Sequence, residues 1–205
     1  MIKSFYLNNL AYYIAGLVAV VFVLSYFQPA MFRIAGLILL LLGISIFIDF
    51  IFLYSKSKGI IAVRIVADRF SIGDPNKVII RLVNNYGFPV RASIIDELPI
   101  QFQERKWIRK VSVERSADYQ LEYILKPTTR GQYVFNNINV YAHAPLQLIK
   151  RRYIFPAQTI VKVYPSYVQM RRYQLLAVSN RLQEAGAKRI RKIGHSMEFE
   201  QIKEY

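Results

Sequence analysis

The 205-residue chain carries 28 Lys and Arg against 13 Asp and Glu, a formal net charge of +15, and it has no cysteine. The missing cysteines exclude a disulfide framework and thiolate chemistry, while leaving the compartment open. A hydrophobic content of 54% is high for a soluble domain with this much charge, and the excess sits near the N-terminus.

Residues 10–27 contain no charge, and residues 34–54 contain one, Asp49. A bilayer core is crossed by roughly 17–25 apolar residues in helical form. Two transmembrane helices are therefore expected, at about 10–27 and 34–54, in an anchor hairpin spanning 1–58 with its loop at 28–33. A cleaved signal peptide would have an apolar core of about 7–15 residues before a small-residue cleavage site. Here the first span is longer, Gln28-Pro29 follows it, and a second span comes at once. Lys3 on one flank and Lys56, Lys58 and Arg64 on the other face a loop holding only Arg33. That bias places both termini in the cytoplasm. A carboxylate inside hydrocarbon costs roughly 2.5–3.5 kcal/mol on insertion scales. Asp49 is therefore expected to reach the interface, or to hydrogen-bond Tyr12 or Tyr13 at a similar depth; a proton relay would need more polar partners.

All the remaining charge lies in residues 56–205. There, short β-branched and aromatic runs alternate with turn residues. Strands are predicted at 60–67, 77–83, 90–95, 108–113, 120–125, 132–141, 146–155 and 159–164, with turns at 73–76 and 84–87. In the second of these, Val78, Ile80 and Leu82 share one face; Leu121, Tyr123 and Leu125 do so in the fifth, and Ile138 and Val140 in the sixth. Such spacing with period-2 alternation predicts an all-β, immunoglobulin-like antiparallel sandwich over 59–165. After Pro165 the period lengthens. A basic amphipathic helix is expected over 168–186, ended by Gly186, within a C-terminal basic helical segment, 166–205.

Chemistry is sparse. Only His143 and His195 are available as imidazole ligands, and His195 with Glu198 makes a pair without a third partner, too few for a metal. Ser196 beside His195 lacks the glycines of a nucleophile elbow. Glu198, Glu200 and Glu204 read as solvated helix charges. No catalytic residue, metal site or cofactor is expected. Lys188, Arg189, Arg191 and Lys192 form a basic run that reads either as a solvated linker or as a contact for anionic lipid headgroups or an acidic partner. Nucleic acid is disfavoured, because no aromatic residue for base stacking lies between Leu175 and Met197.

Several phrases occur together and in order. Asp96-Glu97-Leu98-Pro99 reads D-x-x-P, and Pro127 to Tyr133 reads P-x-x-R-G-x-Y through Arg130, Gly131 and Tyr133. The segment Ala144-Pro145-Leu146-Gln147-Leu148 stands against D-P-F-G-L, with Ala144 and Gln147 departing from it. Val163-Tyr164-Pro165 follows, and the chain ends on Gly194, Ser196, Glu198, Phe199, Glu204 and Tyr205 in G-x-S-x-E-F-x-x-I-R-E-Y, with Lys203 for the arginine. With the two-span anchor before them, these phrases resemble the bacterial membrane protein family known as domain of unknown function 58. Physically, Gly131 would supply a positive φ at a strand entry, Pro99 and Pro165 would end strands, and Glu198 would complement a helix dipole.

The resemblance implies an N-terminal portion of a longer protein whose missing region is similar to a von Willebrand factor A domain. It also implies a MoxR-type AAA+ ATPase as partner. The expected function is a non-enzymatic scaffold or assembly factor, multi-pass in the bacterial inner membrane with its soluble part cytoplasmic. Alternatives are an accessory that presents substrate to an envelope peptidase or transglutaminase-like enzyme, and nucleic-acid binding through the basic segment.

Overall fold

A helical hairpin leaves the edge strand of one β-sheet and leads into a strand of another. The computed structural model describes residues 4–104 and 107–178. Strand β1 (Phe5–Leu7) leads into helices α1 (Asn9–Leu24) and α2 (Ala30–Tyr54). The helices are antiparallel. The rings of Phe22 and Phe32 meet at 5.8 Å at the far end, Ala11 and Leu42 share a small buried cluster near the base, and Phe5 meets Phe50 at 6.2 Å beside the sheet. Both helices are apolar all round, and most of their large side chains are exposed, among them Leu37, Leu41 and Phe47.

The lengths correct one expectation. At 25 residues, α2 runs about 37 Å at 1.5 Å per residue, more than the roughly 30 Å of a hydrocarbon core. It begins at Ala30, so most of the expected loop is its first turn. At 16 residues, α1 runs only about 24 Å. It stops before the expected end at 27 because Ser25 turns its hydroxyl onto the Phe22 carbonyl, 2.6 Å away, and residues 25–27 form a turn. Among the described residues one helix, not two, is long and apolar enough to cross a bilayer.

The remaining strands are β2 (Ile60–Val66), β3 (Arg69–Ser71), β4 (Asn76–Asn84), β5 (Val90–Asp96), β6 (Ile108–Val113), β7 (Asp118–Leu125), β8 (Gly131–Phe135), β9 (Ile138–His143), β10 (Ile149–Phe155) and β11 (Thr159–Tyr164). They make a five-stranded sheet in the order β1-β10-β9-β5-β6 and two three-stranded sheets, β2-β4-β7 and β3-β11-β8. Every pairing is antiparallel except β3 with β11. The antiparallel sandwich is thus the fold, and alternation explains its core. Val78, Ile80 and Leu82 from one sheet, Ile94, Ile138 and Val140 from another, and Tyr133, Phe135 and Val161 from the third share one buried cluster. Each such side chain contributes about 1.5–3 kcal/mol.

The expected strand at 132–141 is broken. Residues before Asn136 belong to β8 and those after Asn137 to β9, in different sheets. Glu97 holds this corner: its N–H donates to the Asn137 carbonyl, its carbonyl accepts from Asn136 N–H, and its carboxylate accepts from Asn137 N–H, each at 3.1 Å.

Helices and sandwich fall in one compact unit that ends at Pro165, and a second unit begins at Ser166. Described by itself, the second unit has helix α3 (Tyr167–Val178), with Met170 to Leu175 exposed. Gly186, where the basic helix was expected to end, lies outside the described residues.

Gly59 sits where α2 passes into β2. A Cβ there would lie 2.0 Å from Cζ of Tyr86, whose hydroxyl donates to the Leu53 carbonyl at 2.7 Å and so cannot swing aside. Gly59→Ala should lower stability by about 1–3 kcal/mol, the usual cost of overpacking, in thermal unfolding of the full chain in detergent. Gly36→Ala, which meets nothing within 4 Å and lies inside α2, should not lower the midpoint and, by alanine's better helix propensity, should raise it slightly.

Candidate functional site

One face of the last two turns of α2 packs against the sandwich through Asp49 and Leu53, while Phe50, Ile51 and Phe52 stay exposed. Asp49 is fully buried, and its two carboxylate oxygens accept the backbone N–H groups of Leu146 and Leu148, each at 3.0 Å. These amides lie in the turn between β9 and β10. That turn folds because Gln147 N–H donates to the Ala144 carbonyl at 3.0 Å and Gln147 takes φ 60°, a left-handed conformation that favours glycine. Asn8 compensates, donating its side-chain amide to the Gln147 carbonyl at 2.7 Å. An aspartate at 144 would cap its own turn; with Ala144 in that place, the carboxylate comes from the helix. The expected tyrosine partner is not there, for Tyr12 and Tyr13 are exposed and sit higher on α1.

The sandwich reciprocates. The Arg151 guanidinium donates to the carbonyls of Leu53 at 2.7 Å, Lys56 at 2.8 Å and Ser57 at 3.2 Å, groups that the end of a helix leaves open. It lies between the rings of Tyr54 and Tyr153, 4.5 and 4.7 Å from their centroids. Cation–π contacts of this kind contribute about 0.5–2 kcal/mol. Tyr86 donates to the Leu53 carbonyl and is hydrogen-bonded to the Tyr153 hydroxyl. Burial pushes both phenols above their ordinary range, so both stay protonated at neutral pH.

A second buried network lies inside the sandwich. Asp96 accepts from Arg64 Nε at 3.2 Å, from Arg64 Nη2 and from the Tyr123 hydroxyl. Arg64 also donates to the carbonyls of Ala157 at 2.7 Å and Asn136 at 3.0 Å, and its guanidinium lies 5.0 Å from the Phe135 ring centre. Burial, then the neighbouring carboxylate, drives the Tyr123 hydroxyl far above its usual range. Arg64 therefore belongs to the core and not to the exposed flank of the hairpin.

The family-signature residues within the described chain are spread out. Asp96 is in this network. Pro99 is buried ahead of a 3-10 turn, Ile100–Phe102. Gly131 has the expected positive φ, at 145°. Tyr133 is buried and donates its hydroxyl to the Thr129 carbonyl at 3.0 Å. Arg130, Pro145 and Pro165 are exposed. Gly194, Ser196, Glu198, Phe199, Glu204 and Tyr205, like Lys188, Arg189, Arg191 and Lys192, lie outside the described residues, as does His195.

His143 stands elsewhere, in a cleft of ≈ 690 Å³ on the outer face of the five-stranded sheet, with Asn8 and Asn9 on its wall. Lys150 is its partner across β10 and β9, and Arg91 and Lys110 line the same cleft. Burial, then Lys150, Lys110 and Arg91, lowers the pKa of the imidazole below its ordinary value.

No family model and no curated protein matches the chain. Solved structures similar to it include the CARDB domain of the PF1109 protein from Pyrococcus furiosus, with 14% identity, TM-score 0.37, and coverage of 52% of this chain and 94% of that one. The ASH / PapD-like domain 7 of human CEP192 matches with 11% identity, TM-score 0.38, and coverage of 54% and 88%. The PKD domain of an M14-like peptidase from a Thermoplasmatales archaeon matches with 12% identity, TM-score 0.32, and coverage of 52% and 94%. These likenesses are too slight to argue from, so the fold rests on the strand register above.

Sequence reasoning missed Arg151, Tyr86 and Tyr153. The signal was present in the run Lys150-Arg151-Arg152. In a strand, consecutive side chains alternate faces, so the middle arginine must point away from its two neighbours and find partners inside.

Asp49→Leu removes both acceptors and leaves the Leu148 amide buried and unpaired. Bonds to a charged group are worth about 1.5–3 kcal/mol each, so a loss of about 3 kcal/mol or more is expected in thermal unfolding. Asp49→Asn, which keeps one acceptor, should lose about half as much.

Proposed function

We propose that this chain is a non-enzymatic membrane scaffold in which an immunoglobulin-like sandwich is held rigidly at the bilayer surface by a two-helix anchor. The observation that carries this reading is the state of α2. A core helix of a soluble protein would be buried, whereas the most apolar 18-residue stretch of α2 is only 11% buried. Exposed apolar surface on that scale calls for lipid or a partner. A removable signal sequence does not fit either. The strand preceding the hairpin pairs with β10, and the end of α2 supplies Asp49 to the sandwich, so cleavage would dismantle the head.

In this reading α2 spans the membrane and α1 returns beside it. The shorter helix is accommodated by local bilayer thinning and by its flanking Tyr26 and Phe27 at the interface. Lys56 and Lys58 at the head end, against Arg33 at the far turn, favour a multi-pass protein of the bacterial inner membrane with the sandwich cytoplasmic. The resemblance to the domain of unknown function 58 family supports a MoxR-type AAA+ ATPase as the partner on that side.

The natural absence of cysteine gives a clean test. In intact bacterial cells, an impermeant maleimide should label Tyr26→Cys at the far turn and should label Arg115→Cys, between β6 and β7, only after lysis. Membranes washed with alkaline carbonate should retain the chain. Release by carbonate defeats the anchor, and labelling of Arg115→Cys in intact cells defeats the orientation.

A further inference from the structure

The basic side chains of the cleft on the outer face of the five-stranded sheet, Arg91, Lys110 and Lys150, play no part in the core or in the joint with α2. Its floor follows from strand register. Lys150 pairs with His143 across β10 and β9, the Ala142 to Ala92 pairing places Arg91 one step beyond beside His143, and Lys110 pairs with Ser93 on the neighbouring strand. Three cations thus converge on one half-buried histidine. Among the described residues no carboxylate lines the cleft, and none forms an ion pair with Arg91, Lys110 or Lys150. Elsewhere on the sheets Lys77 is paired with Glu122 and Arg81 with Asp118, while Arg69, Arg109 and Lys162 have no ion pair among the described residues and do not line this cleft. Gathering like charges without counter-charges is unfavourable, and a bound anion would relieve it.

We propose that this cleft binds the phosphate of an anionic phospholipid headgroup. Arg91 offers the planar fork that suits phosphate oxygens, and the lysines add point charges. The volume of ≈ 690 Å³ falls within the roughly 300–1,000 Å³ of small-molecule sites. The lipid source follows from position. Asn8 and Asn9 line the cleft, and Asn9 is the first residue of the apolar helix α1, so the cleft opens at the level where the anchor leaves the headgroups. This placement rests on the anchor reading, whereas the anion chemistry does not.

The test uses the full chain in nonionic detergent at low salt, titrated with short-chain phosphatidylglycerol, short-chain phosphatidylcholine, inorganic phosphate or an acidic peptide, following the His143 ring signals by NMR. Phosphatidylglycerol should saturate the shift at the lowest concentration, and phosphatidylcholine should produce none. Each basic residue near an anionic headgroup contributes about fivefold in affinity, so Arg91→Gln with Lys110→Gln and Lys150→Gln should weaken binding on the order of a hundredfold. The single reversal Lys110→Glu, at an exposed position, should weaken it in the same direction without disturbing the thermal midpoint.

An unchanged affinity in either variant overturns the proposal, as does an equal response to phosphatidylcholine. Inorganic phosphate binding as tightly as the lipid would make this a free-phosphate site, and a tighter acidic peptide would make it a protein contact; either result refutes the lipid. A chain that binds phosphatidylglycerol here but is released by carbonate refutes the anchor and not the anion site. One that stays in the membrane and ignores phosphatidylglycerol refutes the cleft alone.

Discussion

The carboxylate of Asp49 and the guanidinium of Arg151 are exchanged across one boundary, and the rest of the molecule depends on that exchange. The helix lends the sandwich an acceptor for the amides of the β9–β10 turn, and the sandwich lends the helix a donor for its last open carbonyls. Each element completes hydrogen bonds that the other cannot make alone. Without the exchange, α2 would be a greasy rod joined to a β-domain through residues 55–59 with no fixed angle between them. With it, Leu53 is sealed, Tyr86 packs over Gly59, and β1 continues the five-stranded sheet on the near side of the hairpin. Helix and sandwich are then joined by hydrogen bonds on both sides of the junction.

The Arg64–Asp96–Tyr123 network has a different role. A buried ion pair contributes little net stability, because desolvation offsets most of the attraction, but removing one partner leaves an uncompensated charge and is strongly destabilising. Here it links β2, β5 and β7 to the β8–β9 corner and to the loop before β11. A mispaired register would strand a charge in the core, so the network favours one arrangement of strands over its neighbours. Of the phrase residues seen in the fold, Asp96 lies in this network, Gly131 takes a positive φ and Tyr133 is buried with its hydroxyl on the Thr129 carbonyl. The cationic cleft is built from residues outside those phrases.

Much of this was legible in the sequence, for identifiable reasons. Period-2 alternation located Val78, Ile80 and Leu82 on the inner face because a half-buried strand leaves that imprint. It joined β8 and β9 into one strand because the break at Asn136-Asn137 depends on Glu97, a partner distant in sequence. β1 and β3 are three residues long, too short for any period to register. Arg64 looked like a flanking charge beside the hairpin, yet it shares the parity of Ile60 and Ala62, both buried. A charge in phase with a hydrophobic face needs a buried counter-ion, and Asp96 was the candidate at hand. Asp49 was visible as an anomaly, but its partners are backbone amides almost a hundred residues away, which no side-chain inventory reveals. The cleft escaped because its cations come from three strands and are assembled only by register.

The most direct measurement is amide hydrogen exchange at Leu146 and Leu148 in the full chain held in detergent. Leu146 is an exposed turn residue, so its amide would ordinarily exchange at the rate of a loop. The interlocked joint predicts that both amides are protected to the level of the β9 and β10 strand amides, and that Asp49→Leu abolishes this protection while the strands keep theirs. Loop-rate exchange at both positions in the unaltered protein would mean that the helix and the sandwich are merely tethered, and the account would fail.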